Sequence, residues 1–419
     1  MNAMRTLALA LALAFAAPAH AGHLPDPKAA EAAMLESATV MQARGDLAAQ
    51  GLRSQGLQHG FEEWTVGAEL AQRRIQTVPR DNEGEWAVSV ARAVRLPARA
   101  AADRALAGAR IAYAEANLGE AVHESGRRLL TLWFDWLAEA GQAPLWEEQL
   151  ATAARQLEVV ESRIRLGEAP RAERVNAEAA LAQVRLQQQQ AATRAQQVRA
   201  RLRAEYPALA VAFDGVLPAP QAPQGDADAY ADAVLAHNHE LARARRHADV
   251  LQAETRQLAQ RRGVDPSVGV FYRNEAGGDE RVLGLNLGLT LPGAARRFEE
   301  QAAAQSSTTA QLAAQRIEQR LRTEARADFE TARAQVGNWQ RADQAAQALD
   351  EAARLAARAY SLGEGSLDQV LLTQRLALEG RLQARLAQVG ALAADARLKL
   401  DTHQLWALDV AVEMEGQHP

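Results

Sequence analysis

The chain contains no cysteine in 419 residues. That absence excludes disulfides, thiolate metal sites and a lipid attached through a cysteine behind a leader. Lysine is nearly absent as well, with only Lys28 and Lys399. Aromatic residues make up 5% of the chain, too few for the compact core of one large globule. Tracts rich in Ala, Gln, Leu, Glu and Arg fit long helices packed through narrow seams instead. After Ala21 no apolar run approaches the ~20 residues that a membrane-crossing helix needs. Charge is mixed, 47 basic against 52 acidic residues, so no field of one sign is available to attract nucleic acid. Gly-x-Ser-x-Gly, His-Glu-x-x-His, phosphate-loop and dinucleotide fingerprints are all missing, and no carboxylate pair stands out as acid and base. We therefore expect no enzyme and no cofactor.

What is present begins with a leader. Met1 to Arg5 precede an apolar run from Thr6 to Ala17, followed by the small-x-small triplet Ala19-His20-Ala21. Residues 1–21 read as a secretory signal peptide, with the mature chain starting near Gly22.

The remainder repeats itself. Glu85 to Leu96-Pro97 is echoed by Glu280 to Leu291-Pro292, in each case an alternating run that stops at Leu-Pro and gives way to a helical stretch. Arg165-Leu-Gly-Glu-Ala is echoed by Ser361-Leu-Gly-Glu-Gly, and Trp64-Thr-Val-Gly by Ser267-Val-Gly-Val. Three landmarks in the same order imply two copies of one unit, 22–206 and 229–409. Between them lies a connection at 207–228 that carries Pro218, Pro220, Pro223 and Gly225 and cannot continue a helix. A short tail occupies 410–419.

Leu283, Leu285, Leu287, Leu289 and Leu291 alternate with Gly284, Asn286, Gly288 and Thr290, so one strand face is oily and the other small or polar. A β-barrel strand has this pattern, with leucines toward lipid and small polar residues toward a wet lumen. The partner strand is expected from Ser267 to about Asn274, with a turn over Glu275 to Asp279, making a hairpin at about 267–291. The first hairpin, at about 64–96, pairs a strand from Trp64 to Leu70 with one carrying Trp86, Val88 and Val90, across a loop near Val78 to Gly84. Four strands cannot close a barrel, for which about eight is the minimum, so several chains must contribute.

Between Gly293 and Gly363 there is no proline and one glycine, Gly337. A helix of some seventy residues would reach roughly 100 Å. Ile317, Leu321, Phe329, Val336, Trp339, Ala346, Leu349 and Tyr360 form its single apolar stripe, and Leu371, Leu378, Leu382, Val389, Ala393, Ala396 and Leu400 form that of a returning helix. The reversal at 362–366 is expected to use positive φ at Gly363 and Gly365. In the first half Leu150, Leu157, Val160 and Ile164 run down to a turn at 166–170, and Val175 to Leu202 return. His237-Asn-His239 is the one close histidine pair. On a helix, residues two apart point in different directions, so no metal site is expected.

In the order of these parts, over about Lys28 to Asp409, the chain resembles the TolC family of outer-membrane efflux proteins, and its layout is similar to the heavy-metal (CzcC-like) members. The resemblance implies a mainly α protein with long antiparallel helical hairpins and four membrane strands per chain, completing a twelve-stranded barrel in a homotrimer. It implies an exit duct in the outer membrane of a Gram-negative cell, reaching into the periplasm, through which small solutes such as metal ions or toxic compounds leave. Partners would be outer-membrane lipid, a periplasmic adaptor protein and an inner-membrane pump. The matching adaptor-docking tips are Leu166, Gly167 and Glu168 together with Leu362, Gly363, Glu364, Gly365 and Ser366. Asp368 falls where some relatives carry a gating acid, although the first turn of a helix also favours an acidic residue. The alternatives are a duct for ABC-type protein export and a periplasmic coiled-coil adaptor or scaffold, which would lack membrane strands.

Overall fold

A computed structural model describes residues 23–76, 81–213 and 215–406. The leader and the tail at 410–419 lie outside the described residues. In chain order the elements are helices α1 (Pro27–Leu35) and α2 (Ala38–His59), strands β1 (Trp64–Ile75) and β2 (Asp81–Ala93), helices α3 (Pro97–Ala140), α4 (Ala143–Arg165), α5 (Arg171–Glu205), α6 (Ala227–His237) and α7 (His239–Gln260), strands β3 (Asp265–Glu275) and β4 (Glu280–Thr290), and helices α8 (Ala295–Ser361) and α9 (Leu367–Asp401). The succession helix, strand, strand, long helix, return helix therefore occurs twice. The protein is mainly α with one antiparallel four-stranded sheet, ordered β1-β2-β3-β4 and open at both edges.

Two compact units are present. One, the sheet unit, comprises Met34–Arg127, Gly225–Glu330 and the residues from Lys399 onward; the other, the tip unit, comprises the residues up to Ala33, Arg128–Gln224 and Thr331–Leu398. Helices α3 and α8 contribute to both.

In the sheet unit, Leu57, Leu106, Ala107, Val250 and Ala253 from α2, α3 and α7 form one small core. Ala231, Val234 and Ala325 from α6 and α8 form another. Arginines hold the places where strands become helices. Arg95 reaches the carbonyls of Leu57 and Gln58 at 2.8 and 2.6 Å and the Asp103 carboxylate at 2.5 Å, and Gln257 donates to the other Asp103 oxygen at 2.6 Å. In the second half Asp265 accepts from Arg99 at 2.7 Å and from Arg296 at 2.6 Å. Each junction follows a Leu-Pro pair, and Pro97 occupies the first position of α3, where its missing N–H removes nothing.

In the tip unit α4 turns back into α5 and α8 into α9. The stripe residues behave as their spacing requires: on α8 Val336, Ala346 and Tyr360 are buried, with Trp339 and Leu349 half-buried, and on α9 Leu378, Val389 and Ala396 are buried.

Four details differ from the sequence reading. β1 continues past Leu70 to Ile75 and β2 begins at Asp81, because full cross-strand pairing down to Ile75 and Asp81 outweighs the poor strand propensity of Gln72, Arg73 and Arg74. The first long helix is interrupted between α3 and α4 at Gly141-Gln142. Pro144 lies in the first turn of α4 and cannot donate to the carbonyl four residues back. Of the two glycines at the second reversal only Gly363 has positive φ, +82°. Gly365 serves close approach instead, since a Cβ there would lie 3.2 Å from the Tyr360 nitrogen. Finally, His237 and His239 are not on one helix: Asn238, extended at φ −74° and ψ 115°, ends α6 and caps α7 by accepting from the Leu241 N–H at 2.8 Å.

Candidate functional site

The registers join two sequence-local hairpins into one surface. Leu70 pairs with Trp86, Ala68 with Val88, Val66 with Val90 and Trp64 with Arg92. The same residues of β2 pair onward, Val88 with Tyr272, Val90 with Val270 and Arg92 with Val268. These in turn pair with Leu283, Leu285 and Leu287, and Pro266 with Leu289. Side chains alternate in a strand, so directly paired residues share a face. One face of all four strands is therefore a continuous apolar band. The leucines of β4 are its most exposed part: Leu283 is 75%, Leu285 80% and Leu287 70% exposed, with Leu289 57% and Leu291, just past the strand end, 76%. Trp86 and Tyr272 lie together at 5.5 Å toward one border, and Arg92 stacks over Trp64 at 5.3 Å toward the other. An apolar band with aromatic margins is the pattern of a strand surface facing hydrocarbon.

The opposite face carries Thr65, Gly67 and Glu69, then Ala87, Ser89 and Ala91, then Ser267, Gly269 and Phe271, then Gly284, Asn286 and Gly288. It is crowded as well as polar. The Phe271 ring lies over Gly284, where any Cβ would overlap it, and the Arg273 guanidinium lies 4.9 Å from the centre of that ring. Small residues on this side allow the sheet to curve with this face inward. Eleven residues in β4, at ~3.3 Å each and tilted by ~45°, span about 25 Å, the height of an outer-membrane apolar band.

The helical tips share one backbone design. In the first, the Gly167 N–H donates to Ile164 at 3.0 Å and the Glu168 N–H to Arg163 at 2.9 Å; in the second, the Gly363 N–H donates to Tyr360 at 3.1 Å and the Glu364 N–H to Ala359 at 2.9 Å. This is the helix-ending motif that requires a left-handed residue after the last turn, supplied by Gly167 at φ +77° and Gly363 at +82°. Leu166, Glu168, Leu362, Glu364, Gly365 and Ser366 are exposed, with Leu166 and Leu362 at 73% and 58%. Ser366 caps α9 by accepting from the Gln369 N–H at 3.3 Å. Asp368 stands in the first turn of α9, exposed, where the helix dipole favours a carboxylate.

Beneath these turns the two hairpins are locked together. Val160, Ala177, Tyr360, Leu367 and Val370 form a core drawn from α4, α5, α8 and α9. Arg163 lies over the Tyr360 ring at 4.4 Å and donates to the Tyr360 carbonyl at 3.2 Å. The Tyr360 hydroxyl donates to Glu173 Oε2 at 2.5 Å. Burial, and then the neighbouring Glu173 carboxylate, push the Tyr360 phenol up to about 12.

Sequence reasoning placed Tyr360 in the seam but missed Arg163 and Glu173, which looked like ordinary solvated residues on exposed faces. Their positions beside the Leu-Gly-Glu turns were the available signal. The convergence of His237 and His239 on a third histidine is hidden as long as the pair is read on one helix. Asn at 238, a strong helix-capping residue, was the signal there.

No helix among the described residues is long and apolar enough to cross a membrane. No protein-family model matches the chain, and no curated protein matches it in sequence. Solved structures match its fold over nearly the whole length. The outer-membrane channel OprN superposes with a TM-score of 0.75 at 16% identity, covering 90% of each chain. The CmeC outer-membrane channel of Campylobacter jejuni gives 0.71 at 11% identity, covering 91% of this chain and 85% of that one. The outer-membrane protein VceC of Vibrio cholerae gives 0.70 at 14%, covering 91% and 99%. The open four-stranded sheet, the paired helical hairpins and the order in which they follow one another are those of the TolC-type outer-membrane efflux channels, and that is the fold of this chain.

Proposed function

We propose that this protein is the outer-membrane exit duct of a tripartite efflux system, a passive conduit through which small solutes such as metal ions or toxic compounds leave a Gram-negative cell. The observation that carries this reading is the apolar band running unbroken across four strands of a sheet that cannot close alone. Left in water, the five leucines from Leu283 to Leu291 would cost roughly 10 kcal/mol per chain. A helical scaffold or adaptor would have no use for such a face. Lipid on the band, and other copies of the chain on the open edges β1 and β4, satisfy both demands.

In this reading three copies supply twelve strands, above the minimum for closure. The number three rests on the resemblance to the TolC family. Large apolar residues exposed on the helices, such as Phe298 and Leu312 at 64% and 60%, become contacts between copies. Residues 1–21 are the leader that directs export, and 22–206 and 229–409 are duplicated units. Leu166, Gly167, Glu168 and Leu362 to Ser366 form the surface that meets a periplasmic adaptor, and Asp368 narrows the aperture beside it. Substrate choice then belongs to the inner-membrane pump.

Fractionation with heat-modifiable gel mobility tests the proposal. An outer-membrane trimer that dissociates on boiling is expected, and a monomer in the soluble periplasm overturns it. For the tips, Glu364→Lys should leave the trimer intact and lower pump-dependent resistance. Unchanged resistance would remove Glu364 from the docking surface.

A further inference from the structure

Four histidines from four places in the chain meet within the sheet unit. His123 projects from α3, His237 ends α6, His239 opens α7, and His403 follows the end of α9. The His403 ring lies 5.0 Å from His239 in a near-parallel stack, 5.4 Å from His237 and 5.8 Å from His123, and His123 lies 5.8 Å from His239. Gly119, one turn before His123, makes the room: a Cβ there would fall 2.7 Å from His239 Nδ1. His123 is 3% exposed.

Charged groups among the described residues stand beside them. From α3 come Glu120, Glu124 and Arg127; from α7, Glu240 and Arg243; from the end of α9, Asp401, with Lys399 exposed just before it. Asp401 Oδ1 lies 3.4 Å from His123 Nε2 and accepts from Arg127 at 3.1 and 3.2 Å. Among the described residues no three of His, Asp and Glu are arranged to hold a metal ion. The stacked rings of His239 and His403 present faces to each other, which is not how nitrogens converge on a metal.

What the cluster does hold is the turn after α9. His403 adopts the left-handed conformation at φ +57°, unusual for a residue with a side chain, and Trp406, 3% exposed, closes the described chain. We propose that this cluster is an acid-sensitive latch: neutral imidazoles pin residues 401–406 to α3 and α7, and protonation releases them.

The physical reason is that the site disfavours a cation. Burial, and then the Arg127 guanidinium, hold the His123 imidazole down to about 3; the Asp401 carboxylate acts the other way, but Arg127 already occupies it. A second imidazolium would arise within 6 Å of the first. Burial also raises the Glu120 carboxyl, so the neighbouring acid is poorly placed to compensate. The sign follows. Where opening of the turn restores the His123 imidazole to its ordinary value of 6.5, the closed form is fully favoured above that pH and loses ground as pH falls from 6.5 toward 3. At pH 5 the opening equilibrium is about 30-fold larger than above neutrality.

Hydrogen exchange of the full-length protein at pH 7.5 and 5.0, corrected for intrinsic chemistry, reads this directly. Peptides covering 399–406 should open about 30-fold more at pH 5.0, and His123→Gln should reduce the pH effect to less than about 3-fold. Equal protection of the wild type at both pH values, or an undiminished effect in His123→Gln, overturns the latch. If that variant fails to assemble, 13C-histidine spectra of the wild type decide. A buried imidazole still neutral at pH 5.0 in the closed population supports the latch, and four imidazoles all titrating near 6.5 overturn it. The latch does not depend on the channel reading.

Discussion

The helix that follows the first hairpin is broken, and the one that follows the second is not. α3 and α4 contain 44 and 23 residues, whereas α8 contains 67 in one run. Gly141 at the break stands as far before Leu166 as Gly337 stands before Leu362, yet α8 passes through Gly337 without interruption. Glycine alone therefore does not break this helix. The difference is Pro144, whose counterpart by the same spacing is Gln340. Without an N–H the proline cannot complete the ladder, and the Gly141 N–H bonds Leu137 at 2.8 Å to end α3. The two halves also differ in the sheet, where β2 is internal and β4 an edge. Val88 and Val90 are accordingly 44% and 38% exposed, against 70–80% for Leu283, Leu285 and Leu287.

The largest effect is expected where the two hairpins share the apolar band. Leu287→Arg on β4 and Val90→Arg on β2 should each cost roughly 2 to 4 kcal/mol per chain if both face hydrocarbon, read as loss of the heat-modifiable trimer. Normal trimers from Val90→Arg alone would confine the lipid face to the second half.

Next, Gln340→Pro should reproduce in α8 the break seen after α3, at about 3 kcal/mol. Pro144→Gln should join α3 to α4, visible as a gain in helical circular dichroism. No gain would mean that the break is held by the packing of Gly141 against Arg385.

At the tips, Tyr360 raises its titration because the fold favours the neutral phenol. Its contribution is fully present below pH 10 and is lost as pH rises from 10 to about 12. Denaturant titrations should show stability falling by about 2 to 3 kcal/mol across that window. Tyr360→Phe should lack the fall and lose about 1 kcal/mol at neutral pH with the Glu173 bond. A pH-independent wild type would show that the phenol is wet.

The smallest effect compares the two turns. Gly167→Ala and Gly363→Ala should each destabilise by about 1 kcal/mol through the left-handed φ. A melting shift in only one of them would break their equivalence.

Much of the fold was legible because it is written in local patterns. The alternation of Leu283 to Leu291 defined a strand and its oily side, Leu-Pro marked where strands stop, and Leu-Gly-Glu marked where helices reverse. The stripe from Ile317 to Tyr360 required no knowledge of what it packs against. The break at Gly141 was not foreseen because Pro144 sits inside an otherwise helical pattern. The extension of β1 to Ile75 was missed because Gln72, Arg73 and Arg74 carry no strand signal of their own.

By itself the sequence determined most of the strands and long helices, which side of each is apolar, and that four strands are too few to close a barrel. These are consequences of side-chain periodicity and of the φ restrictions on glycine and proline, which act over a few residues. Only the tertiary structure decided that β2 pairs with β3, fusing two hairpins into one apolar face. It alone brought Arg163 and Glu173 to Tyr360, and His403 to histidines far earlier in the chain. Such contacts join residues separated by a hundred or more positions, and no local pattern records them, because each depends on where whole helices and hairpins come to rest.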